Sequence, residues 1–183
     1  MFDQERPIKK IKSHYIYHSS WLDIREDEII KADESNGKYV VVERIHCAVI
    51  IPQKSDGKIF LTQEYRYPVE RWTWNFTMGS CKKGERYQDG ACRELEEETG
   101  WRAGKIESLG EVDLVPGYSN EIAHFYLATD LKAGKIKRES SEIGMKIQEF
   151  SVEEIDQMIQ ENKIRDGLSI VAWFFYKNFL KNN

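Results

Sequence analysis

Apolar and polar residues alternate through the N-terminal part of the chain, and this period of two is typical of β-strands with one buried face. The alternation predicts strands over Ser13–Tyr17, Trp21–Ile30 and Tyr39–Val42, with a turn at Glu34–Gly37. A three-stranded antiparallel sheet of this size does not hold together alone. We therefore expect residues 1–43 to form a small sheet that packs on another surface.

Residues 44–183 combine strand and helix patterns. Ile45–Ile51 is almost wholly apolar, as in a central strand buried on both faces. Further strands are predicted at Lys58–Tyr65, Trp72–Thr77, Ile106–Leu114, Ile122–Leu127 and Met145–Phe150. Helices are predicted over Asp89–Thr99, from the Ser151-x-x-Glu154 capping box to about Asn162, and over Ser169–Leu180. Strands and helices in layers indicate an α+β fold.

Composition narrows the class of protein. The chain has 183 residues, of which 40% are hydrophobic, enough for one domain with a proper core. A net charge of -4 without a basic tract argues against nucleic-acid binding, and no apolar run approaches the length of a membrane span. The N-terminus has no apolar signal region, and the odd cysteine count predicts free thiols in a reducing cytoplasm.

One segment carries most of the functional information. Gly79 to Trp101 read GSCKKGERYQDGACRELEEETGW, which follows the pattern G-x5-E-x7-R-E-U-x-E-E-x-G-U, with U a bulky apolar residue. Its seven fixed letters would match by chance on the order of once in 10^9 starting points. The pattern is therefore far more specific than most short motifs.

The same segment has the features of a helix. Asp89–Thr99 is rich in strong helix formers, and Gly100 suits the left-handed position just past a helix end. Helical spacing gives one apolar face made of Ala91, Leu95 and Thr99. A second face of the helix carries three carboxylates, those of Glu94, Glu97 and Glu98.

Crowded carboxylates repel one another unless a cation lies between them, and hard oxygen ligands favour Mg2+ or Mn2+. The competing interpretation is a solvated acidic face, the usual meaning of a charge run. That interpretation suits Glu96, which the pattern leaves free. The fixed glycine, glutamate and arginine positions favour a metal site for the other three.

The segment resembles the defining motif of the Nudix hydrolase family, and all nine defined positions match. The resemblance implies an α/β/α sandwich around a mixed sheet, with metal-dependent attack on a diphosphate linkage. It implies metal binding by Glu94, Glu98, Glu97 and the backbone carbonyl of Met78, with Glu97 also counted as catalytic. It implies structural roles for Gly79, Glu85, Arg93 and Gly100, with Glu85 pairing with Arg93.

Three further segments are similar to the ADP-ribose pyrophosphatase group of that family. Pro116 lies fifteen residues beyond Trp101, within a PGYSNE sequence, and QEYRYP and KIRDG sequences occur at 63–68 and 163–167. The resemblance implies ADP-ribose or a nucleoside diphosphate sugar as substrate. The predicted substrate-binding residues are Arg66, Arg44, Pro116, Gly117 and Glu121, with Arg44 the weaker of the two arginines.

Several points stay open at this stage. Thr77 stands where the group usually has proline, and Lys82 and Lys83 make the loop more basic than usual, so the base and the sugar are not fixed. The general base of the group is a loop glutamate outside the motif, and here Glu142 aligns best, followed by Glu139. One tryptophan of the Trp72–Trp74 pair is expected to face a base.

Two alternative functions remain. One is hydrolysis of dinucleoside polyphosphates or capped RNA by another Nudix branch, against which Pro116 and the N-terminal sheet argue. The other is a sensing domain without turnover, against which the intact motif argues.

A homodimer is expected because the N-terminal strands carry surplus apolar side chains, namely Tyr15, Tyr17, Trp21, Ile24, Ile29 and Ile30.

Overall fold

The computed structural model of the protein describes residues 6–137 and 144–182. The chain divides into two compact units. The first contains the chain up to Ile45 together with Asp113–Ile122. The second contains His46–Val112 and Ala123 onwards.

The first unit is built on a three-stranded antiparallel sheet with the order β1-β2-β3. Its strands are β1 (Lys9–His18), β2 (Leu22–Ile30) and β3 (Asn36–Arg44), which confirms the three predicted strands. The predicted turn at Glu34–Gly37 exists but was placed too far along the chain. The chain turns at residues 31–35, and Asn36 and Gly37 already pair with Ile30 and Ile29 in the β2–β3 ladder.

The second unit contains the helices and the remaining strands. A mixed four-stranded sheet has the order β7-β4-β10-β9, in which β10 runs parallel to β4 and β7 antiparallel to it. A three-stranded sheet has the order β12-β5-β6, and β11 pairs with β8. The bounds are β4 (Cys47–Pro52), β5 (Ile59–Arg66), β6 (Arg71–Asn75), β7 (Thr77–Ser80), β8 (Trp101–Arg102), β9 (Lys105–Asp113), β10 (Ile122–Thr129), β11 (Lys132–Ala133) and β12 (Lys146–Phe150).

Helices cover both faces of β4, which is buried along its whole length. Ala48 and Ile50 pack with Ala91 and Leu95 of helix α1 (Tyr87–Thr99). On the opposite face, Phe125 of β10 lies 5.3 Å from Phe175 of helix α3 (Gly167–Asn182) between ring centroids. The expected central strand, mixed sheet and layered α+β architecture are confirmed.

Some boundaries differ from the prediction. Ile45 is 47% exposed and lies outside β4, which begins at Cys47. Trp72–Thr77 spans two strands of different sheets, β6 and β7, with buried Phe76 between them. The two-residue strands β8 and β11 are too short to produce a pattern in the sequence.

The C-terminal helices are capped and tied together by side chains. The capping box at Ser151 and Glu154 is present and opens α2 (Val152–Gln160). Asp156 of α2 accepts hydrogen bonds from Trp173 Nε1 and Lys177 Nζ of α3, both 2.7 Å long. The buried side of α3 consists of Ser169, Ala172, Trp173 and Tyr176, whereas Phe174 is 63% exposed.

Within the ranges that the structure describes, no helix is long and apolar enough to cross a membrane. Of the three cysteines, Cys47 and Cys81 are buried and Cys92 is partly buried.

Candidate active site

Helix α1 presents the motif carboxylates because its apolar face is fixed against the sheet. Ala91, Leu95 and Thr99 are buried, which confirms the predicted face. The helix ends at Gly100, which adopts the left-handed conformation with φ 73° and donates its N–H to the Glu96 carbonyl. A side chain with Cβ would be strained at this φ, so the glycine fixes the helix end.

Arg93 lies at the centre of the motif. Its guanidinium donates to both oxygens of Glu85 at 3.0 Å, and to the Ser80 carbonyl at 3.1 Å. It also donates to Glu94 at 2.7 Å and to Glu97 at 3.0 Å. These acceptors, Glu85 first, raise the pKa of Arg93 above its usual value. One arginine thus joins the loop after β7 to the acidic face of α1.

Gly79 is required by the close approach of β7 to α1. A Cβ atom added at Gly79 would lie 2.1 Å from Glu94 Cδ and within 2.5 Å of both carboxylate oxygens. No side chain can occupy that position without displacing Glu94. The motif glycine therefore makes room for one of the predicted metal-binding carboxylates.

The predicted metal ligands lie on neighbouring elements of the second unit. Glu94, Glu97 and Glu98 share α1, and Met78 belongs to β7, which packs against that helix. Glu98 is only 4% exposed, and a carboxylate buried to this degree needs compensating charge or hydrogen bonds. The donor set, carboxylate oxygens with a backbone carbonyl, suits a hard divalent cation.

In their present rotamers these carboxylates do not form a ready-made cage. Across residues 6–137 and 144–182, no three His, Cys, Asp or Glu side chains converge on one point. Arg93 bonds to Glu94 and Glu97 instead. The residues match a divalent cation in chemical type, and Arg93 competes with it for two of the carboxylates.

The two predicted general bases, Glu139 and Glu142, lie outside the described residues. Lys137 immediately precedes that part of the chain and donates its backbone N–H to the Glu97 carbonyl at 2.9 Å. A cleft of about 380 Å³ at this place is lined by Arg93, Glu97 and Lys137, among others. The described chain therefore passes beside the acidic helix just before Glu139.

Arg66 ends β5, with 41% of its side chain exposed. Its Nη2 lies 2.7 Å from Glu64 Oε1. A 3-10 turn at Tyr67–Val69 follows β5. The QEYRYP sequence therefore contains the end of the strand, and Arg66 is the last residue of that strand. Sequence reasoning assigned no role to Glu64, although the polar residues at 62, 64 and 66 alternate along β5 and so mark one face of it.

The other predicted substrate residues belong to the first unit. Pro116 and Gly117 form a turn that is closed by a 3.1 Å hydrogen bond from Tyr118 N–H to the Val115 carbonyl. The loop is bonded to β3, since Val42 donates to the Tyr118 carbonyl at 2.7 Å. Arg44 Nη1 lies 3.4 Å from Glu121 Oε2. Within this unit the structure thus brings together Arg44, Pro116, Gly117 and Glu121.

Trp72 and Trp74 differ in environment. Trp74 packs edge-on against Phe150 with ring centroids 5.1 Å apart, whereas Trp72 is half exposed and meets Tyr65 at 5.9 Å. Trp72 is therefore the more exposed of the two rings.

His46 and His124 both contact Tyr87. His124 stacks on Tyr87 with centroids 3.7 Å apart, and Tyr87 Oη lies 3.1 Å from His46 Nδ1. Burial lowers the pKa of His124, opposed by the nearby carboxylate of Glu111. These contacts give both histidines a packing role.

Known proteins resemble this chain over most of its length. The sequence model of the NUDIX domain matches residues 43–174. An ADP-ribose pyrophosphatase of Bacillus subtilis is 27% identical over 165 residues, covering 90% of this chain and 89% of its own. A methanol dehydrogenase activator of Bacillus methanolicus is 29% identical over 170 residues, with the same coverage of both chains.

A solved structure gives the same fold over nearly the full length. The crystal structure of an ADP compounds hydrolase superposes with a TM-score of 0.86 and covers 99% of this chain and 98% of its own. The sequence identity is 16%, so this likeness bears on the fold alone.

Proposed function

Because the chain belongs to the NUDIX domain family, we propose that it hydrolyses the diphosphate linkage of ADP-ribose or a nucleoside diphosphate sugar. The products are a nucleoside monophosphate and a sugar phosphate. The observation that carries the proposal is the intact motif on and before α1. In it Arg93 bonds to the carboxylates of Glu85, Glu94 and Glu97. The full-length similarity to an ADP-ribose pyrophosphatase supports this substrate class.

The proposed cofactor is Mg2+, with Mn2+ as a substitute. Glu94, Glu98 and the Met78 carbonyl would hold it, with help from Glu97. When bound, such a cation neutralises phosphate charge and acidifies a coordinated water. The acidic face of α1 supports the assignment, because carboxylate oxygens are the ligands that these ions prefer.

The remaining chemistry falls to the protein. The Arg66 guanidinium is suited to bind diphosphate oxygens in a bidentate manner, and Arg44 is a weaker candidate for substrate binding. Pro116, Gly117 and Glu121 shape a substrate loop. Glu142, or Glu139 in its place, removes a proton from the attacking water, which forms the new P–O bond as the bond to the leaving phosphate breaks.

We also propose a cytoplasmic homodimer. Tyr15, Tyr17 and Trp21 are exposed on the first unit, with Trp21 67% exposed. Ile29, which we had counted in the same patch, is buried, with 5% of its surface exposed. The remaining apolar surface supports a two-fold contact between copies. Neither a nucleic acid nor a membrane is among the proposed partners.

A substrate panel tests the proposed function against its alternatives. Purified protein with Mg2+ is incubated with ADP-ribose, nucleoside diphosphate sugars, dinucleoside polyphosphates and capped RNA, and monophosphate release is measured. We expect kcat/KM to be highest for ADP-ribose or a nucleotide sugar. Preference for a polyphosphate or a cap indicates the other Nudix branch, and tight binding without turnover indicates a sensor.

A further inference from the structure

A row of polar side chains crosses the β5–β6 hairpin and ends at Arg66. The antiparallel register places Thr62 opposite Asn75, Glu64 opposite Thr73, and Arg66 opposite Arg71. Alternate residues of a strand share a face, and so do directly opposite residues. We call these six residues the polar row: Thr62, Glu64, Arg66, Arg71, Thr73 and Asn75.

The row is anchored at its buried end by Asn75, which is 1% exposed. Asn75 Nδ2 donates to Glu64 Oε1 at 2.9 Å and to Thr62 Oγ1 at 3.1 Å. Its Oδ1 accepts from Thr73 Oγ1 at 3.1 Å. Because a buried amide is costly to leave unbonded, these partners fix the amide and, through it, the Glu64 carboxylate.

Glu64 connects the buried Asn75 amide to Arg66 at the exposed end of the row. The Oε1 atom that accepts from Asn75 is the same atom that lies 2.7 Å from Arg66 Nη2. The Glu64 side chain is 15% exposed, so the ion pair is only partly screened by water. A buried asparagine thus sets the direction of an exposed guanidinium across two hydrogen bonds.

The charges of the row favour an anion at that end. Two guanidiniums and one carboxylate give a net charge of +1, and like charges directly opposite each other are destabilising. Among the described residues, nothing accepts a hydrogen bond from the buried Nε of Arg71. Because this nitrogen is closed to solvent, it is the net positive charge of the exposed end that favours an anion there.

We propose that Glu64 and Asn75 are positioning residues that hold Arg66 ready for the diphosphate group of the substrate. The inference rests on the proposed function, because it takes the diphosphate as the ligand of Arg66. An arginine ordered in advance loses less side-chain freedom on binding, so the effect is on affinity. Since the contact exists before and during the reaction, its loss raises KM and leaves kcat nearly unchanged.

Exchanging the two groups gives a rescue test. Asn75→Asp places a second carboxylate against Glu64, and Glu64→Gln removes the charge that holds Arg66. In the double variant, the amide introduced at position 64 would donate to the carboxylate introduced at position 75 and still offer its oxygen to Arg66. Each single change is expected to raise KM and the metal-free Kd for ADP-ribose about tenfold, with kcat within about threefold.

The double variant is expected to return to within about threefold of the wild type in KM and Kd. Glu149→Gln is the matched control, because Glu149 lies in the same three-stranded sheet and pairs with Lys54 at 2.9 Å. We expect the control to leave both constants unchanged. Calorimetric titration in EDTA gives Kd, steady-state kinetics gives KM and kcat, and thermal unfolding confirms that each variant is folded.

The outcomes separate the inference from the function on which it rests. Folded single variants with wild-type KM and Kd would overturn the positioning role, as would a double variant whose defects simply multiply. If Asn75→Asp alone does not fold, the comparison of Glu64→Gln with the double variant decides in the same way. If the wild type neither binds nor cleaves ADP-ribose and nucleotide sugars, the proposed function fails first and the inference falls with it.

Discussion

Arg93 and Glu85 meet through two separate hydrogen bonds, Nε to Oε1 and Nη2 to Oε2, each 3.0 Å long. Paired bonds of this kind between arginine and carboxylate are strong and directional. They hold the loop that follows Gly79 against helix α1, and the remaining guanidinium nitrogen contacts Glu94 and Glu97. The geometry of the acidic face therefore depends on a residue that need not touch substrate.

Glu85→Gln is expected to lower the free energy of unfolding by about 2 kcal/mol at pH 7, because it weakens a partly buried, charged pair. Hydrogen bonds from Arg93 lower the pKa of Glu85 below its ordinary 4.5 in the folded protein. A lowered folded pKa contributes stability above pH 4.5, and this contribution is lost as the pH falls towards the folded value. Denaturant unfolding from pH 7 to pH 3 should show the difference between wild type and variant shrinking below about pH 4.5.

The control for this pH dependence is Asp89→Asn, which breaks the exposed pair with Arg86. Exposed pairs contribute little, so we expect a small and nearly constant change. An equal loss of stability at pH 3 and pH 7 in Glu85→Gln would show that the ion pair is not what the substitution removes.

Glu98→Gln is expected to keep the fold and to reduce kcat with Mg2+ by roughly 100-fold or more. Substitution of a residue that only hydrogen-bonds to a metal ligand already lowers metal affinity or activity about 10- to 100-fold. Glu98 is proposed as a ligand itself, and an amide is a poor ligand for a hard dication. The matched control is Glu96→Gln on the same helix, since Glu96 pairs with Arg102 and is not a fixed position of the motif. Near wild-type turnover in Glu98→Gln would contradict its assignment as a metal ligand.

Glu142→Gln is expected to lower kcat far more than it raises the Kd for substrate, because a general base acts on the water and not on binding. Typical losses for such a group are about 10²- to 10⁴-fold. Glu139→Gln serves as the comparison. If Glu139→Gln shows the larger loss of kcat, the base is Glu139 and our alignment of this loop was wrong.

Sequence alone predicted the parts of the fold that local physics controls. The helix over the motif followed from good helix formers and Gly100, and its apolar face followed from the spacing of Ala91, Leu95 and Thr99. The polar row could not be foreseen in the same way. Its members are separated along the chain, and their contacts depend on the β5–β6 register, which periodicity does not fix.

Exposure along α3 was harder to foresee. The run Trp173–Phe175 is apolar throughout, and tertiary packing alone decides that Trp173 is buried while Phe174 faces outwards. The turn before β3 was misplaced for a related reason. Asn36 and Gly37 are common turn residues, yet the ladder with β2 extends over both.

The homodimer is tested by light scattering at micromolar protein concentration, where we expect twice the 21.5 kDa chain mass. Trp21→Ser should shift the population towards the monomer, because Trp21 is the most exposed large apolar side chain among the described residues of the first unit. Phe174→Ser, which changes an exposed aromatic residue on α3, is the control and should leave the mass unchanged. A wild-type monomer with full activity would contradict the proposed assembly.

The central claim is that the protein hydrolyses the diphosphate linkage of its substrate. 31P NMR of the reaction with ADP-ribose and Mg2+ tests this claim most directly. We predict that the diphosphate resonances disappear while AMP and ribose 5-phosphate appear in equal amounts. Omission of the metal, or Glu98→Gln, should leave the spectrum unchanged on the same timescale. An intact diphosphate signal with the wild type, or formation of ADP and free ribose, would contradict hydrolysis at the diphosphate linkage.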